Sequence, residues 1–451
     1  MLSVDRRYLL FILIHVVIGA LLFYSSIAPK IYGYSIIFGC ILYIINSKNK
    51  NNEVLYAAAY MVGAEIVLRM TNGNPVYEFS KFGVILLILI GIYYKGISKN
   101  AVPYWIFLIL LVPSVLLTSV ELNYTISLRK EISFNVSGPV CLGACALYTY
   151  QRRVTIQQIN NILLCIGLPM ICCLVYLMLY APNIKDVITG TESNGVTSGG
   201  FGPNQVSTML GLGMFVFGSR LLLLSNSITQ FLLNLVLMML ITYRGLVTFS
   251  RGGMITGFVM FLILFVVSYF VINKKAKLRM LLMILFVFVA FLLAWGYSTS
   301  QTNGLILKRY SNQDAAGRVK EDQLTGRGDL AMDEIETFLD HPIFGVGVGR
   351  NMEKRYEQTG EVVVSHNEIT RMLAEHGSLG ILCLMILFLT PIILYIDNKY
   401  NIYLLCFLAF WLLTINHAAM RLAAPAFLYS LALLKVIQRE EDTILQKDDF
   451  I

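Results

Sequence analysis

The sequence predicts an all-α polytopic membrane protein with about 12–14 transmembrane helices. Hydrophobic residues make up 57% of the 451 positions, charged residues make up only 14%, and long apolar runs alternate with short polar breaks. Soluble domains contain roughly 45–50% apolar and about 25% charged residues, so these few charges could not cover so much apolar surface in water. The composition therefore excludes a cytosolic enzyme, a disulfide scaffold and a disordered chain.

Fourteen apolar runs are candidate spans. They lie near residues 8–27, 31–45, 53–70, 82–97, 101–119, 138–150, 159–181, 204–224, 228–243, 252–272, 278–297, 378–396, 400–417 and 420–437. Two of them, 31–45 and 138–150, are shorter than the ~20 residues of a usual span, so twelve is the alternative count. Every basic cluster between spans falls on one side, which predicts that both termini are cytoplasmic. Basic residues in cytoplasmic loops also explain the net charge of +8, so the charge does not predict nucleic acid as a partner.

The longest polar segment defines the predicted domain organisation. Residues 298–376 lie on the side opposite the basic clusters and hold 13 of the 27 acidic residues, so they form one large, partly helical outer loop. The loop separates an N-terminal bundle of about eleven helices, 1–297, from about three C-terminal helices, 377–437. A cytoplasmic tail, 438–451, follows. Any chemistry is therefore expected to face outward.

From Thr325 onward the loop sequence predicts an amphipathic helix that Thr325 or Gly326 can cap and Pro342 ends. The predicted apolar face consists of Ala331, Ile335, Phe338 and Leu339, and the acidic face of Asp329, Asp333, Glu336 and Asp340. Arg327 falls on the apolar face at the positive end of the helix, which is unfavourable unless an anion joins it. An anion site is one interpretation. An ion pair with a loop carboxylate (Asp314, Glu321 or Asp322) is equally open.

The segment Ser365-His366-Asn367-Glu368 matches a capping box, which predicts His366 at the first helical position. The positive helix end disfavours an imidazolium, so His366 would be neutral and able to accept a proton as a general base does. An exposed loop histidine with no task is the alternative. Asn367 is a second-tier candidate. The helix is expected to run to Gly377.

Two arginines are predicted at the outer surface near the 252–272 span. Arg251 lies at its mouth, and Arg244 stands seven residues earlier, two turns away if the segment is helical. Arginines are less common on the outer side of a membrane protein than on the cytoplasmic side, so these two indicate either an anion site or snorkelling to lipid headgroups.

Two further charged pairs are second-tier candidates because each is spaced one helical turn apart near the outer end of a span. They are Glu65 with Arg69 and His417 with Arg421. Intramembrane ionisable groups are functional candidates by default, although a packing role fits equally well. No metal site and no cofactor are predicted, since the five histidines never occur at i, i+4 and no H-E-x-x-H motif is present.

Several of these motifs together resemble the bacterial O-antigen ligase and polymerase superfamily of membrane glycosyltransferases. The specific part of the resemblance covers about residues 245–385. The motifs are SRGG at 250–253, the Arg327 helix, HPIFGVGVG at 341–349, SHNE at 365–368 and AEHGSLG at 374–380, with ISFNVSGP at 132–139 similar to polysaccharide polymerases.

The resemblance implies a donor glycan linked to undecaprenyl pyrophosphate, presented at the periplasmic face of the bacterial inner membrane. A hydroxyl of the acceptor would attack the anomeric carbon with inversion and without a metal ion. By motif match, His366 would be the general base, while Arg251 and Arg327 would bind the pyrophosphate, with Arg244 as a further candidate. A chain-length regulator and a flippase are the implied protein partners.

Two activities fit this chemistry. A polymerase joins lipid-linked repeat units, and a ligase moves the finished chain to lipid A-core. Ligases of the family usually have twelve spans, so the count of fourteen favours the polymerase. A polysaccharide or lipid transporter without chemistry is the alternative from another class, but transporters tend to place polar residues and broken helices at the membrane midplane.

Overall fold

The structure, a computed structural model, describes residues 4–121, 128–271, 274–320, 326–360 and 363–437. Within them the chain is helical almost throughout. In order, the helices are α1 (Val4–Tyr24), α2 (Ala28–Ser47), α3 (Glu53–Met70), α4 (Phe79–Lys95), α5 (Val102–Leu110), α6 (Val112–Glu121), α7 (Leu128–Thr149), α8 (Ile156–Tyr180), α9 (Ile184–Val187), α10 (Pro203–Leu223), α11 (Ile228–Leu246), α12 (Arg251–Val271), α13 (Lys274–Gln301), α14 (Leu305–Tyr310), α15 (Arg327–Asp340), α16 (Arg350–Thr359), α17 (Glu368–Ile396), α18 (Leu404–Ile415) and α19 (Ala423–Leu431). Strands β1 (Arg153–Thr155) and β2 (Lys435–Ile437) pair in parallel.

The prediction of an all-α polytopic membrane protein is confirmed. Ten helical segments of the described residues are long and apolar enough to cross a membrane: α1, α2, α5 with α6, α7, α8, α10, α11, α12, α13 and α17. The other four predicted spans coincide with α3, α4, α18 and α19. Ten is fewer than the predicted 12–14 because α4, α18 and α19 have only 17, 12 and 9 residues, and because α3 carries three charged residues.

Contacts divide the chain into two compact units. The first contains residues 1–79 and 157–321, and the second contains residues 80–156 and 322–451. Each unit groups helices that are distant in the sequence. The predicted division at residues 297 and 376 concerns membrane topology and stays a prediction. The predicted tail, 438–451, lies outside the described residues.

In the first unit, α10 packs against α12 with the two backbones in contact. A Cβ on Gly211 would lie 2.1 Å from the carbonyl oxygen of Gly253, and one on Gly257 would lie 2.2 Å from that of Gly211. Only glycine allows this approach, and small residues are what close helix packing in membranes requires. The second glycine of the SRGG motif therefore fixes the start of α12 against α10.

In the second unit, α7 packs against α19 and α15 packs against α17. Gly377 interrupts α17 with φ 60° and ψ −139°, so the segment before it is a short separate helix. A Cβ at Gly377 would lie 2.6 Å from both the amide nitrogen of Gly345 and the carbonyl oxygen of Ile343. The close approach and the positive φ both require glycine, and together they hold residues 368–376 at a fixed angle to the apolar helix that follows.

Candidate active site

Helix α17 begins two residues later than predicted, at Glu368. Asn367 is the N-cap, and its Oδ1 accepts the amide of Ile369 at 2.9 Å. Ser365, the predicted cap, instead donates to Glu334 Oε2 at 3.3 Å. The predicted capping box is wrong because Glu334 offers Ser365 a charged acceptor, while the Asn367 side chain caps the helix. His366 therefore lies just outside the helix and not at its first position.

His366 is half-buried and held by its own segment. Its Nδ1 lies 2.9 Å from the carbonyl oxygen of Val364. A carbonyl only accepts, so we assign the proton to Nδ1, which leaves the lone pair on Nε2. Burial, then the positive charge of Arg421, and to a smaller extent that of Arg327, lower the pKa of His366 to about 4. The imidazole is therefore neutral at pH 7 and can accept a proton.

Two other segments of the second unit bring cations whose charges act on His366. Arg421, from the connection between α18 and α19, donates to the carbonyl oxygen of Ser365 at 2.6 Å. His417, in the same connection, has Nδ1 2.8 Å from Leu413 O, and burial together with the charge of Arg327 lowers its pKa. Arg327 thus acts electrostatically on both histidines. The arrangement is two neutral imidazoles among cations, a setting that attracts an anion.

The helix that carries Arg327 begins and ends as predicted, but its buried side differs. The cap at Gly326 has φ 75°, and α15 stops at Asp340. Leu339 is 68% exposed although the sequence assigned it to the buried face, whereas Glu334 is 1% exposed. The predicted orientation of α15 is wrong, because buried polar side chains bind Glu334 and turn its side of the helix inward. Asp314, one of the suggested partners of Arg327, pairs with Arg318 at 2.8 Å, and 321–325, which contains the other two, lies outside the described residues.

The partners of Glu334 link α15 to α16 and α17. Arg355 donates to Glu334 Oε1 at 2.9 Å and to Asp333 Oδ2 at 3.0 Å. Thr370 donates its hydroxyl proton to Glu334 Oε2 at 2.5 Å. Sequence reasoning missed this cluster, because Glu334 and Arg355 are 21 positions apart and no local spacing connects them. It anchors the segment that contains His366.

A second buried cluster lies on α17 itself. Arg371 pairs with Glu368 and, through Nη1, with Glu375 Oε2 at 2.7 Å. Its Nη2 also donates to the carbonyl oxygen of Asn135 at 3.2 Å, in the ISFNVSGP stretch. Here a signal was available, because the spacing E-x-x-R-x-x-x-E puts both acids one turn from the arginine. The cluster fixes the first turns of α17 and with them the position of His366.

The glycine-rich HPIFGVGVG segment forms tight turns against α17. Val346 and Gly347 donate their amides to the carbonyl oxygens of Ala374 and Glu375, at 2.9 and 3.1 Å. Gly349 donates its amide to Glu375 Oε1 at 2.9 Å. These amides satisfy acceptors at the end of a helix, where carbonyls lack intrahelical partners. The segment is a structural turn, and these three amides already have hydrogen-bond partners.

Arg251 is the first residue of α12, as predicted. Its Nη1 donates to the carbonyl oxygen of Arg309 at 3.3 Å. The predicted two-turn spacing from Arg244 is wrong, because α11 ends at Leu246 and Phe249 has φ 58°, which breaks the helix. Arg251 also contributes, after Lys320 and Arg309, to the positive charge that lowers the pKa of Glu192. Arg251 is therefore part of a mixed-charge cluster of the first unit.

Arg244 is buried at the C-terminal end of α8. Its guanidinium donates to the carbonyl oxygens of Leu177 at 2.7 Å and Ala181 at 3.1 Å, and only 1% of the residue is exposed. A cation at the negative end of a helix satisfies unpaired carbonyls and the helix dipole. These contacts give Arg244 a structural role, and pyrophosphate binding by Arg244 stays a prediction that they do not support.

The predicted ion pair in α3 is present. Arg69 Nη2 lies 2.9 Å from Glu65 Oε1 and 3.6 Å from Glu78 Oε2, and its guanidinium stands 4.7 Å from the ring centre of Tyr77. All three charges are buried, so this pair stabilises the end of α3 within the first unit. A direct role in chemistry stays a prediction.

Comparison with known protein families gives a match for part of the chain. Residues 233–385 match the protein family described as O-Antigen ligase. The matched range includes Arg244, Arg251, Arg327 and His366, and it nearly coincides with the range over which the sequence motifs resemble this superfamily. No curated protein and no solved structure matches the chain.

Proposed function

We propose that the protein is a membrane glycosyltransferase that transfers a glycan from undecaprenyl pyrophosphate to a sugar hydroxyl. The support is that residues 233–385 match the O-antigen ligase family, in keeping with the superfamily that the sequence motifs resemble. The reaction takes place at the periplasmic face of the inner membrane and needs no metal ion. One observation carries this proposal: His366 is neutral, and the charges of Arg421 and Arg327, from two other segments, act on it, so a proton acceptor and cations that could bind an anion occur together.

The reaction is a single displacement. Nε2 of His366 takes the proton of the acceptor hydroxyl as its oxygen attacks the anomeric carbon. The bond from that carbon to the pyrophosphate oxygen breaks, and the configuration inverts. Arg327 and Arg421 offset the negative charge that develops on the leaving pyrophosphate. A positioned group of this kind contributes about 2.7–4 kcal/mol to transition-state stabilisation. The role of Arg251 in binding the pyrophosphate stays a prediction from the resemblance.

Donor binding would also tune the base. In the substrate-free protein, Arg421 and Arg327 are among the causes that lower the pKa of His366 to about 4, which makes it a weak base. A bound pyrophosphate offsets both charges and raises the pKa of His366 above this value, while burial, the largest cause, still holds the pKa below its usual 6.5. His366 would therefore become a stronger base only when the donor is in place, and this couples proton transfer to donor binding.

The pH dependence of turnover tests this coupling. His366 acts as a base only when neutral, so activity is expected to fall as the pH drops below its pKa. The fall of kcat/KM on the acid side reports the free enzyme and should have an apparent pKa of about 4. The corresponding fall of kcat reports the enzyme–donor complex and should have a higher apparent pKa. Initial rates across the pH range, with donor limiting and saturating, measure both apparent pKa values. Two values that coincide at 6.5 would contradict the electrostatic role of the arginines.

Substitutions of Arg327 test how it binds the donor. Arg327→Ala is expected to lower kcat/KM for the donor by about 10²–10³-fold, and Arg327→Lys by less, because lysine keeps the charge. Arg318→Ala is the matched control, since its side chain is 82% exposed and pairs only with Asp314 among the ion pairs of the described residues. Equal losses in the two Arg327 variants would show that the fork geometry of the guanidinium, and not charge alone, is needed.

We propose polymerase as the specific activity. The support comes from the sequence, whose fourteen apolar runs are more than the twelve spans usual for ligases of this family. The ten helices of the described residues that are long and apolar enough to cross a membrane add nothing to this support. The family description favours the ligase as the second candidate, with lipid A-core as the acceptor. Purified protein supplied with the lipid-linked repeat unit, with and without lipid A-core, separates the two. A product ladder without lipid A-core supports the polymerase, and transfer only in its presence supports the ligase.

A further inference from the structure

A cavity of about 640 Å³ lies in the second unit beside the glycine-rich turn. Its wall is formed by the end of α15, the turn that follows and the first turns of α16, and it includes Phe344 and Asn351. Small-molecule sites typically enclose about 300–1,000 Å³, so the cavity is large enough to bind a ligand. The mechanism proposed above makes no use of it.

Asn351 is the feature of this cavity that calls for a ligand. The residue is 3% exposed, and neither Nδ2 nor Oδ1 has a hydrogen-bond partner in the part of the chain that the structure describes. A buried amide that lacks both its donor and its acceptor contacts is unusual. A ligand that satisfies both atoms must donate and accept hydrogen bonds. A sugar hydroxyl does both, whereas an ionised phosphate only accepts.

The rest of the wall fits a saccharide and not an anion. Phe344 and Ile343 are 51% and 63% exposed, which provides an apolar platform for the C–H face of a sugar ring. The wall has two cationic side chains, Arg350 and Lys354, and Arg350 is paired with Glu353 at 3.7 Å. It has three acidic side chains, which are Asp340, Glu353 and Glu357. The electrostatic potential therefore does not favour a phosphate group.

The cavity is also connected to the segment that contains His366. The turn that forms part of the cavity wall donates a hydrogen bond from the amide of Val346 to the carbonyl oxygen of Ala374, in α17. Ala374 is seven residues beyond the N-cap Asn367, which corresponds to about 10 Å along the helix. A sugar in the cavity would therefore belong to the same bound chain as the reacting hydroxyl but would not itself carry it.

We propose that this cavity is the acceptor-glycan subsite, in which Asn351 hydrogen-bonds a sugar of the acceptor chain and Phe344 packs against its ring. The proposal rests on the proposed function, because it takes the acceptor to be a glycan. It assigns specificity for the acceptor to α16 and the glycine-rich turn, and donor binding to the cations near His366.

Saturation-transfer NMR on the full-length protein in detergent tests the proposal. The probe is the lipid-free repeat-unit oligosaccharide, released from the lipid-linked donor by mild acid. Wild-type protein should give transfer to the sugar protons, and Asn351→Ala and Phe344→Ala should each lose most of it. Phe344→Trp should retain it, because the aromatic platform remains. Met332→Ala, on an exposed position of α15 outside the cavity, is the matched control.

Kinetics provides a second readout. With the lipid-free oligosaccharide as the acceptor, Asn351→Ala should raise its KM by about tenfold, the value expected for two lost hydrogen bonds, and leave KM for the lipid-linked donor unchanged. Equal saturation transfer in wild type and Asn351→Ala, or a loss of kcat without a change in acceptor KM, would overturn the subsite. His366→Ala keeps the binding signal if the subsite is correct. A wild-type protein that binds the saccharide but transfers nothing would contradict the proposed function and leave the subsite standing.

Discussion

Replacing His366 with alanine is expected to lower kcat by about 10²–10⁴-fold, the range that a positioned general base contributes. The imidazole is neutral, its Nδ1 is held by Val364, and cations of other segments approach it. The His366 side chain is only half-buried and does not cap α17, so its loss should not unfold the protein. Turnover of the lipid-linked donor by purified protein, with thermal stability recorded in parallel, measures the effect.

His417→Ala is the matched comparison for this variant. His417 lies in the same unit and has a lowered pKa of the same origin, but its Nδ1 hydrogen-bonds within its own turn. Its replacement is expected to change kcat by less than about tenfold, because no proton transfer is assigned to it. A transporter without chemistry would tolerate His366→Ala. Full activity of His366→Ala, or an equal loss in the two variants, would remove His366 as the base.

Replacing Arg371 with alanine is expected to destabilise the protein by about 3–5 kcal/mol, the cost of leaving a buried charge without its partner. Arg371 is 6% exposed and lies between Glu368 and Glu375, which are 1% and 2% exposed. Its removal leaves two buried carboxylates two turns apart on one helix. The start of α17 should loosen, and activity should fall together with stability because His366 lies directly before this helix.

Thermal melting of the detergent-solubilised protein measures this loss. Arg371→Lys should lose less stability than Arg371→Ala because it keeps the charge, although it cannot hold both acids with a planar fork. Arg318→Ala removes an arginine from an exposed pair and should leave the melting temperature unchanged. A shift for Arg371→Ala no larger than that of this control would show that the buried cluster does not support the site.

The fold could be predicted from hydropathy because a membrane allows few alternatives. Every backbone polar group in a bilayer must be satisfied internally, so long apolar runs become helices, and a helix lies at each predicted run. Hydropathy carries no information on which helices pack together. The pairing of β1 with β2 and the packing of α7 against α19 join residues far apart in the sequence, and they produce units that a linear division could not predict.

The site could be predicted only where local spacing carries the signal. Pro342 ends α15, and Arg251 begins α12, because both depend on neighbouring residues. The orientation of α15 was wrong because periodicity treats Glu334 as surface, whereas Arg355 and Thr370 bind it inside. The cap of α17 was wrong for a related reason, since Ser365 is drawn away to Glu334. Buried polar networks override amphipathic patterns when their members come from distant segments.

The most direct test of the proposed glycosyl transfer is a reconstitution in detergent with EDTA. Purified protein receives the undecaprenyl-pyrophosphate-linked repeat unit as its only substrate, and the products are resolved by size. We expect a ladder of longer glycans and release of undecaprenyl pyrophosphate from the wild type, and neither from His366→Ala. No transfer by the wild type, either alone or after lipid A-core is added, would contradict the proposed function.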